Sequence, residues 1–163
     1  MKKFYCGLIA VGSLLSVQCF ALNVRMELTD KAKTPIGTIA INQTPYGVLL
    51  IPDLKSLPPG PHGFHMHMNP TCAEQGMAAG GHFDTGKTEK HLGPYGNGHL
   101  GELPVLWVGS DGSASTPVLA PRLKISDFPG HSLMIHAGGD NYSDTPEKLG
   151  GGGARIACGV VPQ

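Results

Sequence analysis

The chain has 163 residues, with twelve basic against twelve acidic side chains and eight histidines. That length suits one domain, and the balanced charge carries no basic footprint for nucleic acid. With 24 glycines and 14 prolines the chain is a poor helix former throughout.

The first 21 residues read as a secretory leader. Lys2 and Lys3 form a charged start, Gly7 to Val17 is apolar, and Cys19-Phe20-Ala21 offers small residues at the positions a signal peptidase needs. The apolar run is shorter than the roughly 20 residues of a spanning helix, so no membrane association is expected after cleavage. Lipidation at Cys19 is disfavoured by the bulky Gln18 before it. Cutting after Ala21 leaves a mature domain over 22–163, with ten basic and twelve acidic residues, a formal −2. Of the four cysteines only Cys72 and Cys158 then remain. In an exported chain such a pair is expected to form one disulfide.

Eight short apolar runs follow between turn signals: 23–29, 35–42, 46–54, 63–68, 103–109, 113–120, 131–137 and 155–161. Asp111-Gly112 falls between two of them and reads as a hairpin turn. This rhythm, without an amphipathic helix, predicts an all-β sandwich or barrel. Two segments break it: 69–102 and 138–154 are rich in Gly, Asp, Asn and Pro and read as long functional loops. In 103–109 both alternating faces are apolar, with Leu103, Val105 and Trp107 on one and Leu106 and Val108 on the other. The surplus face suits a partner subunit or the underside of a long loop.

The stretch GHFDTGKT at 81–88 matches a phosphate-binding loop letter for letter. That loop works by delivering a strand through a glycine turn into a helix N-terminus. Here the following residues run through Gly93-Pro94 and Gly96-Asn97-Gly98, which no helix survives. The match is read as chance, and no nucleotide is expected.

A metal is the better reading. His65 and His67 stand two apart, which places both imidazoles on one face of a strand. His82, His91, His99 and Glu102 follow closely, giving six candidate nitrogen and oxygen ligands between 65 and 102. His136, in LMIHAGGD, can bring a distant strand to the same place. His62 lies at an odd offset from His65 and is expected to point the other way, and His131, at an odd offset from His136, is read as structural or surface.

At these residues the chain resembles the copper/zinc superoxide dismutases, in their exported, periplasmic bacterial form. The motifs are GFHMH, GGHFDTGKTEKHLGPYGNGHLGELP, LMIHAGGDNYSD and GGGGARIACGV. The resemblance covers the mature chain and implies an eight-stranded antiparallel Greek-key barrel, immunoglobulin-like, with two long active-site loops. It implies one copper and one zinc ion per subunit, with superoxide, converted to oxygen and hydrogen peroxide, as substrate. By the same resemblance His65, His67, His82 and His136 bind copper, while His82, His91, His99 and Glu102 bind zinc. His82 serves both ions. Asp140 links His65 to His91 from behind. Arg155 guides the anion and joins His82 as a catalytic residue, and Cys72 with Cys158 forms the disulfide that tethers the first loop. One position departs from the family, which usually has Asp where this chain has Glu102; Asp84 is the nearby alternative carboxylate. Lys87, Lys90 and Lys148 are expected to frame the substrate channel, and the tetraglycine at 150–153 to give Arg155 a close approach. A homodimer is expected through the apolar 103–109 face. The rival reading is an exported copper/zinc buffer or delivery protein without turnover.

Overall fold

A computed structural model describes residues 21–163. The leader up to residue 20, including Cys19, therefore lies outside the described residues. Within them are nine strands: β1 (Ala21–Leu28), β2 (Pro35–Thr44), β3 (Gly47–Leu54), β4 (Gly60–His62), β5 (Phe64–His67), β6 (Leu106–Val108), β7 (Val118–Ala120), β8 (Ser132–His136) and β9 (Arg155–Val160). Seven form one antiparallel sheet in the order β5-β8-β9-β1-β2-β3-β7, and β4 pairs with β6 in a short second sheet. The all-β architecture expected from the sequence is the one observed.

Alternation explains the strands. In β3, Val48, Leu50, Pro52 and Leu54 point inward and their neighbours do not. β1 supplies Val24 and Met26, and β2 supplies Ile36, Ile39 and Ile41. These side chains share one core with Phe64, Leu133 and Ile135 of the large sheet and with Leu106 and Val108 of the small one. Each fully buried side chain of this kind contributes roughly 1.5–3 kcal/mol.

Two details differ from the sequence reading. The run 63–68 contains no single strand from its first residue, and a separate strand, Gly60–His62, precedes it. The break falls at Gly63, whose N–H donates to Gly138 and whose carbonyl accepts from His136. Those bonds to the second loop and to β8 let the chain pass from one sheet to the other. Asp111-Gly112 does make a tight turn, with Gly109 N–H donating to Ser113 O at 2.8 Å. The flanking strands then part, because Ala114 exchanges both backbone hydrogen bonds with Leu54.

β5 and β8 are buried along their whole length. One face of each, with Phe64, Met66, Leu133 and Ile135, belongs to the main core. The opposite faces carry His65 and His67, and Ser132, Met134 and His136, and they are covered by the two loops. Met134 packs there with Ala79 and Cys158. The first loop returns twice to β5: His82 bridges to His67, and Glu102 to His65. Between these returns Met66 N–H donates to Gly101 O and Met66 O accepts from Phe83 N–H, both at 2.8 Å. A side chain at Gly101 would collide with the Met66 carbonyl and Phe83, so only glycine allows this approach.

Candidate metal centre

The strand and loop returns bring six of the predicted residues into one buried cluster. His65, His67, His82 and His136 each offer one atom within 4.8 Å of the other three, and His82, His91 and His99 do the same. His82 belongs to both groups. Its ring lies 4.0 Å from that of His65, 6.1 Å from His136 and 5.3 Å from His99, centroid to centroid.

One nitrogen on most of these rings is tied down from behind. His65 Nε2 and His91 Nε2 lie 2.8 Å from Asp140 Oδ2 and Oδ1, one oxygen each. His67 Nδ1 donates to Gly80 O at 2.9 Å, and His136 Nδ1 to Gly153 O at 3.2 Å. The facing nitrogens have no hydrogen-bond partner: His65 Nδ1, His67 Nε2, His136 Nε2, His82 Nδ1, His91 Nδ1 and His99 Nδ1 are buried and orphaned. Buried polar atoms are rarely left unpaired. Six that converge from six imidazoles are what metal ions require, and the donor set fits both copper and zinc.

The electrostatics agree with that fit. Burial pushes His67 down to about 3 and His136 down to about 4, and it lowers His65 and His82 as well. These rings stay neutral near pH 7, as ligands must. Burial alone would raise the Asp140 carboxyl, but the hydrogen bonds from His65, His91 and the Tyr142 amide outweigh it and hold the group well below the usual carboxylate range. His91 is raised, because Asp140 outweighs the desolvation of its ring.

Arg155 stands beside the four-histidine group. Its Nη1 donates to Gly76 O and its Nη2 to Gly80 O, both at 2.6 Å. It lines a cleft of about 320 Å³ with His82, His136, Lys148 and Gly153. Lys87 and Lys90 do not line that cleft. A larger groove of about 570 Å³, bordered by Leu28, Gln75 and Ile156, reaches Arg155 but none of the histidines. Cys72 and Cys158 are bonded, fixing the first loop to β9.

Other predicted residues fall elsewhere. His62 is held through both ring nitrogens by His136 O and Pro58 O, and His131 by Met68 O. Asp84 binds Thr88 Oγ1 and the Glu89 amide, so it is no substitute ligand. Lys87 is exposed with a positive φ, and no helix follows the 81–88 turn. The tetraglycine serves a different purpose from the expected one. A Cβ on Gly150 would overlap Asp140 Oδ1 and stand 2.8 Å from His91 Nε2, so the close approach is to the Asp140 bridge rather than to Arg155.

Sequence reasoning missed Arg122, which donates to Gly98 O at 2.8 Å and His99 O at 3.2 Å. It also missed Asp144, which accepts from the His91 amide at 2.9 Å. Arg122 lies outside the quoted motifs and Asp144 only closes LMIHAGGDNYSD; the folded loops show what they hold.

The sequence pattern that defines copper/zinc superoxide dismutase (SODC) matches residues 35–161. The chain belongs to the copper/zinc superoxide dismutase family. It is 53% identical over 158 residues to the Legionella pneumophila superoxide dismutase [Cu-Zn], covering 95% of this chain and 97% of the relative. It is 49% identical over 157 residues to that of Photobacterium leiognathi, covering 90% and 91%. Among solved structures, the Cu/Zn superoxide dismutase from Brucella abortus superposes with a TM-score of 0.83 at 46% identity, covering 87% of this chain and 99% of that one. The monomeric copper, zinc enzyme from Salmonella enterica gives 0.76 at 49% identity, covering 87% and 99%.

Proposed function

We infer that this chain dismutes superoxide: two anions and two protons become dioxygen and hydrogen peroxide, with one copper and one zinc ion per chain. The observation that carries this is the pair of orphaned imidazole groups that share His82. His65, His67, His82 and His136 would hold copper; His82, His91 and His99 would hold zinc, with the predicted Glu102 carboxylate beside them. Copper in such a set supplies one-electron redox chemistry, while zinc is redox-inert and supplies fixed charge.

The protein's own groups supply the rest. Asp140 presents one oxygen to His65 and one to His91, so a single carboxylate sets the tautomer and angle of a ligand in each group. Gly80 O and Gly153 O do the same for His67 and His136. Arg155 keeps its charge at any working pH, and its two anchored nitrogens fix the guanidinium in the cleft where the substrate anion arrives. Gly80 O receives both Arg155 and His67, so one peptide unit registers the anion guide against a metal ligand. Lys148, on the rim, adds local positive charge that a net −2 chain needs for capturing an anion.

The test is to load the purified protein with both metals, verify both by elemental analysis, and follow superoxide loss by pulse radiolysis. Rapid consumption that vanishes in His82→Gln supports the reading. Full sites without consumption would instead make the chain a metal store.

Export to the periplasm is proposed from the leader, and N-terminal sequencing of secreted material should begin at Leu22. A homodimer is proposed from Trp107, 60% exposed on β6 and paired across the ribbon with exposed Pro61. The buried Leu106 and Val108 face the core, so only the Trp107 face remains for a partner. Sedimentation equilibrium decides: a species of one chain's mass at micromolar concentration would rule the dimer out.

A further inference from the structure

The three imidazoles of the zinc group converge, but the fourth predicted ligand does not join them. His82, His91 and His99 each bring one atom into a 4.8 Å group from which Glu102 is absent. The Glu102 side chain is fully buried and close by: Oε1 is 3.3 Å from His99 Nδ1 and Oε2 is 3.6 Å from His91 Nδ1. Both oxygens are already engaged. Oε1 accepts from the Leu92 amide at 3.3 Å, and Oε2 accepts a shorter bond from the Gly93 amide.

The cause is the length of the side chain. Relative to the aspartate usual in the family, glutamate carries its carboxylate one methylene further. Here that reach ends on two backbone donors of the 92–93 turn instead of at the meeting point of the imidazoles. The room for it comes from Gly98, where a Cβ would lie 2.8 Å from Oε1. A charged acceptor holding two buried amides is among the stronger hydrogen-bonded arrangements. A metal must compete with those amides for the oxygens.

We propose that Glu102 is a shared, exchangeable ligand: the Leu92 and Gly93 amides hold its carboxylate back, and zinc rests on His82, His91 and His99 with a fourth position open to water. The proposal rests on the assignment of these three histidines to zinc. Closed four-ligand sites are structural, whereas three protein ligands plus water give a metal-bound water that titrates near neutral pH. This site therefore releases zinc more readily than one closed by aspartate.

The experiment uses the mature protein with copper loaded first and cobalt(II) then placed in the zinc group. The visible spectrum of cobalt in the wild-type protein is expected to change between about pH 6 and 9, and that of Glu102→Asp to stay constant. Zinc affinity, measured by competition with a chromophoric chelator, is expected to rise about tenfold in Glu102→Asp. A pH-invariant spectrum in the wild-type protein overturns the proposal whether or not the variant folds. Equal or weaker zinc binding in a folded Glu102→Asp protein also overturns it. Failure of either protein to bind cobalt or zinc at all would overturn the zinc assignment itself, a different and recognisable result.

Discussion

The two halves of the metal centre are built on different materials. In the four-histidine half, His65, His67 and His136 sit on β5 and β8, which pair with each other, while β8 also pairs with β9 on its far side. In the other half, His91, His99 and Glu102 ride on a loop with no strand of its own from 68 to 105. Its shape is borrowed: Asp144 holds the His91 amide, Arg122 holds the Gly98 and His99 carbonyls, and Asp140 holds the His91 ring. A strand places ligands by its own geometry, whereas a loop places them through partners scattered along the chain. The first half should tolerate loss of a supporting contact better than the second.

The largest expected effect comes where the halves meet. His82→Ala removes a ligand from both, and should cut superoxide turnover by more than the roughly 10–100-fold that loss of an outer partner costs; metal analysis should show both ions weakened. Asp140→Asn separates the halves. Zinc affinity should fall about 10–100-fold while copper affinity falls less, because His65 keeps its strand and His91 does not. Equal losses would erase the distinction.

Acid distinguishes the halves by sign. Burial keeps His65, His67, His82 and His136 neutral in the folded metal-free protein, while the unfolded chain takes up protons below about pH 6.5. The unfolded state then binds more protons, so stability is lost as pH falls from about 6.5 toward the folded values of about 4 and 3. His91 works the other way: its raised value adds stability that is complete below about 6.5 and lost as pH rises through the folded value. Four groups outnumber one, so calorimetry of the metal-free protein should show Tm dropping by roughly 5 °C or more from pH 6.5 to 4. A flat or rising Tm would mean that the four-histidine half is not closed without metal. The smallest effect is expected at the rim: Lys148→Gln should lower the bimolecular rate about twofold at low salt and flatten its salt dependence.

The same division governed how much could be read from sequence. The runs at 35–42, 46–54, 131–137 and 155–161 became strands within about two residues at most ends, because alternating burial is a local signal. The spacing of His65 and His67 was legible for that reason. His91 and His99 were legible only as nearby imidazoles whose roles came from a family resemblance, since no periodicity governs a loop. The split at Gly63, the parting of chains after Asp111-Gly112 and the work of Gly150 all depend on backbone groups far away in sequence. A string of side-chain letters does not reveal which carbonyl a remote amide will find.

The crowding at Gly150 has an outcome that a library could display. Residues 150–153 are four identical letters, yet nothing stands within 4 Å of a Cβ built on Gly153, while one on Gly150 would strike Asp140. Gly153 has a φ of +68°, so saturation mutagenesis across the quartet, selected for metal retention, should return glycine alone at its first position and glycine with Asn and Asp at its last.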